Sequence, residues 1–138
     1  MMKKLLAFAC LALALSWTSS ARAASLFTNP IIMVTPMTLN FGSVSNKTTV
    51  TNTFVVQNAG GGKLVGKATV PAPFKILSGE NYTLRPNEVQ VVTITYTPTK
   101  SPMDVQTVQF TGGGGAKARV AGRLLPESVR DSALPRPK

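Results

Sequence analysis

Apolar residues recur at every second position along most of this 138-residue chain, and a helical period of useful length recurs nowhere in it. Val50, Phe54 and Val56 alternate with Thr49, Thr51, Thr53, Val55 and Gln57, the pattern of a strand with one buried face. Asn58-Ala59-Gly60-Gly61-Gly62 interrupts it as a turn, and Leu64, Gly66, Ala68 and Val70 resume the period beyond. Pro71 and Pro73 close that segment, because proline cannot donate to an interior ladder. Short extended pieces follow at 74–77 and 82–84, with corners at 78–81 and 86–88. The richest β-branched and aromatic stretch runs over 89–97 and predicts a central strand, with Val92, Ile94 and Tyr96 on one face and Val91, Thr93 and Thr95 on the other. Strands at 105–111 and 116–124 complete the series, joined by Gly112 to Gly115 as a mobile connection. Short strands at intervals of about ten residues predict an all-β fold, a β-sandwich of seven strands.

The ends of the chain read differently. Lys3 and Lys4, the apolar run from Leu5 to Leu15, and Ala21-Arg22-Ala23 have the order of a cleavable bacterial signal peptide over 1–23. Residues 24–34 are expected to be an N-terminal linker, 35–124 the domain, and 125–138, with three prolines and mixed charge, a flexible tail. The apolar run falls short of the roughly 20 residues a spanning helix needs, so no transmembrane segment is expected and the protein is expected to be periplasmic or secreted. Removal of 1–23 leaves twelve basic and five acidic residues, a net charge of +7, so the positive excess belongs to the mature chain. Cys10, the only cysteine, lies in the apolar run, and Ala7-Phe8-Ala9 before it matches a lipoprotein site poorly. A mature chain with neither cysteine nor histidine must hold together by burial, which a domain of about 90 residues can achieve by covering about 60–70% of its unfolded surface.

Several short motifs now come into order: Pro36-Met37-Thr38-Leu39-Asn40-Phe41-Gly42-Ser43-Val44, Phe54-Val55-Val56-Gln57-Asn58-Ala59-Gly60 followed by Leu64, then Phe74, Leu84-Arg85-Pro86-Asn87-Glu88, Ile94-Thr95-Tyr96-Thr97-Pro98 and Val120-Ala121-Gly122. Over 36–123 this resembles the ASH or Hydin-type immunoglobulin-like domains. The resemblance implies an immunoglobulin-like seven-stranded sandwich related to major sperm protein and to the N-terminal domain of pilus chaperones, with binding or structural roles. It implies Phe41 and Phe54 as core and Gly42 and Gly60 as turn formers, and it carries over no catalytic residue. Bacterial relatives of this kind occur in exported and cell-surface proteins, which agrees with the signal peptide.

The residue inventory points away from catalysis. Acid–base work usually employs histidine or a shifted carboxylate, and nucleophilic work needs a hydroxyl or thiol beside a base. The mature chain offers only Glu80, Glu88, Asp104, Glu127 and Asp131, without ligand spacing for a metal, so no enzyme activity, cofactor or metal is expected. Asn46-Lys47-Thr48 and Asn81-Tyr82-Thr83 match the glycosylation triplet, which arises by chance in a chain with a bacterial signal. Gly112 to Gly115 lack the Gly-Lys-Ser/Thr that a phosphate-cradling loop requires, since Ala116-Lys117-Ala118 follows.

Charge is the remaining lead. With Leu64, Gly66, Ala68 and Val70 inward, Lys63 and Lys67 face water; with Ala116, Ala118, Val120 and Gly122 inward, Lys117, Arg119 and Arg123 do. If both strands share a sheet, these five residues form a candidate binding face for an acidic partner: a protein surface, an anionic lipid headgroup or an anionic glycan. The plainer account is that a sheet needs soluble residues outside and that lysines along an edge deter aggregation. No aromatic residues interleave with the cations, so a nucleic-acid partner is not expected. Two classes of function follow: a non-catalytic interaction or scaffolding module in the cell envelope, accessory to a surface or secretion assembly, or a periplasmic chaperone-like protein that binds unassembled subunits by strand addition. Binding of an anionic polymer is a third.

Overall fold

The computed structural model describes residues 29–126. The expected signal peptide with Cys10, the start of the linker and residues 127–138 of the expected tail lie outside them. The described residues form nine strands: β1 (Ile32–Thr35), β2 (Thr38–Val44), β3 (Val50–Asn58), β4 (Leu64–Thr69), β5 (Phe74–Ser78), β6 (Asn81–Leu84), β7 (Val89–Tyr96), β8 (Met103–Phe110) and β9 (Ala116–Leu124). They make a sandwich of a four-stranded sheet, ordered β1-β3-β7-β5, and a five-stranded sheet, ordered β2-β9-β8-β4-β6.

Nine strands replace the expected seven, and the reason is local. The N-terminal stretch serves both sheets: β1 pairs antiparallel with β3, the chain crosses at Pro36-Met37, and β2 pairs parallel with β9. Ile32 and Val34 pack into the core, so the expected linker over 24–34 in fact contributes a strand. The short pieces β5 and β6 are each paired, as edge strands of the two sheets.

The two-residue period works as expected. Phe54 and Val56 from β3, Val92, Ile94 and Tyr96 from β7, Val108 from β8 and Val120 from β9 are wholly buried. Burying a side chain of this size contributes about 1.5–3 kcal/mol, and the cluster of such residues between the sheets is what holds an all-burial fold. Phe54 meets Phe110 edge-on at 5.6 Å, while Tyr96 stacks on Phe74 at 4.7 Å and touches Phe41 at 5.7 Å. Gly42, expected to turn the chain out of its strand, instead sits at φ 70° within β2, at a bulge between Asn40 and Ser43. The Asn40 side-chain oxygen accepts its N–H at 2.8 Å.

Asn58 continues the inward phase of Phe54 and Val56 and is fully buried. Its Oδ1 accepts the N–H groups of Ile31 (3.2 Å) and Gly60 (3.0 Å), and its Nδ2 donates to the carbonyls of Gly62 (2.6 Å) and Leu84 (3.2 Å). All four hydrogen-bonding positions of the amide are filled, and one side chain ties the approach to β1, the 58–62 turn and the end of β6 together.

Candidate functional site

β9 lies between β2 and β8, and its inner phase is Ala118, Val120 and Gly122. Lys117, Arg119 and Arg123 therefore point to solvent, and all three are exposed. Ala121 occupies the remaining outward position. At about 3.4 Å per residue, the Arg119 and Arg123 backbones stand about 13–14 Å apart with the small Ala121 between them. Cross-strand partners complete the surface: Thr38 and Thr107 flank Arg119, Asn40 and Val105 flank Ala121, and Ser43 and Met103 flank Arg123.

The five expected cations share one sheet but not one patch. Lys67 on β4 is exposed and sits beside Thr111, whose hydroxyl accepts the Lys67 N–H at 2.9 Å, so it stands at the side of the Lys117 end of the line. Lys63 is exposed too but precedes β4, further along past the glycine turn. The coherent feature is the line on β9 with Lys67 beside its start. Neither β9 nor β4 is an edge strand, since β9 lies between β2 and β8 and β4 between β8 and β6. Protection of a sheet edge thus does not account for these cations.

Gly112 to Gly115 form the turn between β8 and β9, all with positive φ. The expected mobility is not what the contacts describe. The Gly115 N–H donates to the Gly112 carbonyl at 2.8 Å, and the Gly113 carbonyl accepts the N–H of Ile32 at 3.2 Å, joining the turn to β1 of the other sheet. A Cβ at Gly112 would collide with the Val65 carbonyl, so the glycines permit close packing as well as unusual dihedrals.

Of the carboxylates among the described residues, Asp104 accepts the Tyr96 hydroxyl at 2.9 Å, and Glu88 accepts the Arg85 N–H at 2.7 Å to close the 85–88 turn. Burial, then the hydrogen bond to Asp104 and its negative charge, push the Tyr96 phenol well above its ordinary value. Burial raises Tyr82 as well, against hydrogen bonds to Thr111 that lower it. Both tyrosines are structural: Tyr82 donates to the Thr111 carbonyl at 2.6 Å, and Gly122 leaves room for the Tyr96 ring, into which a Cβ at that position would project. Among the described residues no group of three or more potential metal ligands assembles, and no helix is long and apolar enough to cross a membrane.

Sequence reading missed Asn58 and the Tyr96–Asp104 pair. The first had a signal, because the alternation that buries Phe54 and Val56 carries on to position 58. The second had none, because the partners meet across the 97–102 connection and only the fold brings them together.

Comparison with solved structures places this architecture among known sandwiches. The chain is similar to the ASH/PapD-like domain 7 of human CEP192, at 13% identity and a TM-score of 0.57, covering 71% of this chain and 87% of that one. A Porphyromonas gingivalis W83 protein is similar at 14% identity and a TM-score of 0.62, with 78% and 51% covered. The CupB2 chaperone of Pseudomonas aeruginosa is similar at 16% and 0.55, with 73% and 60% covered, so the chain spans about half the length of the former and three-fifths of the latter. At these identities the likeness is one of fold. No curated protein is significantly similar in sequence. The family description that matches covers residues 30–112, taking in β1, which the motif resemblance had left out, and stopping at the glycine turn before β9. With a match of that extent on a sandwich of this topology, the chain belongs to the HYDIN/CFA65/VesB-like, Ig-like domain family.

Proposed function

We propose that the protein is an exported, non-catalytic interaction or scaffolding module of a bacterial cell envelope, acting as an accessory part of a surface or secretion assembly. The observation that carries this reading is the line of three exposed cations on an interior strand, a position where neither core packing nor edge protection requires them. Support for a role without catalysis comes from two of the three carboxylates among the described residues, since Asp104 and Glu88 are engaged in holding a tyrosine and a turn. Support for export is the signal-like order of residues 1–23.

The similarity to a pilus-type chaperone fold raises the second reading, strand addition at an edge. The edges offer little for it. β2 is interrupted by its bulge, β6 has four residues, β5 carries a register shift, and β1 has four residues with its Ile32 N–H already held by Gly113. β9 is occupied on both sides.

Co-purification from the native envelope tests the proposal, using the protein with and without residues 125–138. A stoichiometric complex recovered reproducibly is the expected result. Transient capture of unassembled subunits would favour the chaperone reading, and recovery of the protein alone from every extract would refute both.

A further inference from the structure

We infer that the outer face of β2, β9 and β8, centred on Ala121, docks an acidic protein segment that carries apolar side chains between its carboxylates. The inference rests on the interaction-module reading and names the chemistry of its partner.

Three observations support it. First, the outward positions on these strands hold cations, threonine, asparagine, serine, glutamine and apolar residues, and among the described residues no carboxylate is one of them; the only acidic residue on these strands, Asp104, belongs to the inward phase and is held by Tyr96. Among the described residues no anion on this face thus competes for the guanidinium groups, and charge complementarity favours a partner's carboxylates there. Second, each arginine borders its own depression. One of about 690 Å³ is lined by Met37, Thr38, Val105, Thr107, Lys117 and Arg119, and one of about 300 Å³ by Asn40, Ser43, Met103 and Arg123. Third, the apolar residues in these depressions are uncovered: Met37 is 67% exposed, Met103 54% and Val105 36%.

The alternation of cation and apolar side chain selects among anionic partners. A sulfated or carboxylated glycan would satisfy the cations and leave Met37, Met103 and Val105 wet. A lipid surface would meet the long cationic side chains first, whereas Val105 and Ala121 form the floor between strands. A peptide segment places carboxylates and apolar side chains a few ångströms apart, which is the spacing this face presents. Methionine adapts to irregular apolar partners, and arginine offers two parallel donors to a carboxylate.

The test uses the purified protein and an array of synthetic peptides of about fourteen residues that vary carboxylate and leucine content independently, with a sulfated polysaccharide and vesicles containing anionic lipid as comparators. Peptides with both features should bind at least about fivefold more tightly than charge-matched peptides lacking leucine, and should weaken as salt shortens the Debye length from about 10 Å at 0.1 M to about 3 Å at 1 M. Arg119→Glu/Arg123→Glu should lose at least about tenfold, with an unchanged thermal midpoint because both side chains are exposed, while Lys63→Glu should change affinity less than about twofold. Equal binding of leucine-free peptides, preference for the polysaccharide or vesicles, or no peptide binding at all would overturn the inference. These outcomes are separable from failure of the module reading: an envelope complex that survives Arg119→Glu/Arg123→Glu intact refutes this face as the docking site and leaves the module in place.

Discussion

The outer faces of the two sheets are built by the same alternation and look nothing alike. On the five-stranded sheet the outward positions of β9 are Lys117, Arg119, Ala121 and Arg123. On the four-stranded sheet, β3 and β7 turn out Thr51, Thr53 and Val55 and Val89, Val91, Thr93 and Thr95, with Val55 opposite Val91 and Met33 of β1 alongside; Lys75 on β5 is the cation nearby. The inward residues decide the fold and are satisfied equally in both sheets, so the outward ones were free to differ. Solubility alone would distribute charge over both faces. The charge on β9 fits the partner proposed for that face, whereas the outward positions of β3 and β7 are neutral, with the exposed Met33, Val55, Val89 and Val91 adjacent there and Lys75 at the β5 side.

Perturbations of the shared interior should act on both faces, and perturbations of one face on that face alone. The largest effect is expected for Gly122→Val. It drives a branched side chain into the Tyr96 ring directly beneath the cationic line, and should cost about 3 kcal/mol or more, or prevent folding, as read by urea denaturation. Asn58→Ala comes next, at about 3 kcal/mol: it leaves two N–H groups and two carbonyls without their partner, and the thermal midpoint should fall by more than about 10 °C. Neither substitution touches an exposed residue, so loss of binding in either should track loss of fold.

Tyr96→Phe is smaller and has a pH signature. Burial and Asp104 favour the neutral phenol, so its pKa in the folded state lies above the value of about 10 in the unfolded chain. As pH rises the unfolded state releases its proton first; stability is therefore fully present below about pH 10 and declines above it, with Tyr82 contributing in the same direction. The variant should lose about 1 kcal/mol at neutral pH and show a shallower alkaline decline, measured as urea midpoints across pH 8 to 11. A decline of unchanged steepness would contradict the assignment. The smallest effect is expected on the neutral face: Val55→Lys/Val91→Glu replaces a cross-strand apolar pair by a charged one without changing net charge, and should shift stability by less than about 1 kcal/mol and peptide binding less than about twofold.

The sequence carried the long strands and the outward placement of every candidate cation, because period-two alternation specifies which side chains share a face once a strand is recognised. It did not carry β1. Ile32 and Val34 are only two inward residues in a four-residue segment between Pro30 and Pro36, too little pattern to separate a strand from a linker. The parallel pairing of β2 with β9 was equally hidden, since it joins the two ends of the domain and depends on the crossing at Pro36-Met37. For the site, phase alone suggested five equivalent cations. Only the strand order separates the line on β9 from Lys63, and only the cross-strand register shows Val105 and Met103 beside Ala121 and Arg123.

The most direct test of the cationic face sets the two faces against each other in the native assembly. Equal amounts of wild-type protein, Arg119→Glu/Arg123→Glu and Val55→Lys/Val91→Glu, each verified to have wild-type thermal midpoints within about 3 °C, are expressed in the native envelope and the co-purifying complex is quantified. The prediction is a complex at wild-type yield for the neutral-face variant and a loss of at least about tenfold for the arginine variant. Equal yields from all three, or loss confined to the neutral-face variant, would contradict the assignment of the β9 face as the surface this protein uses.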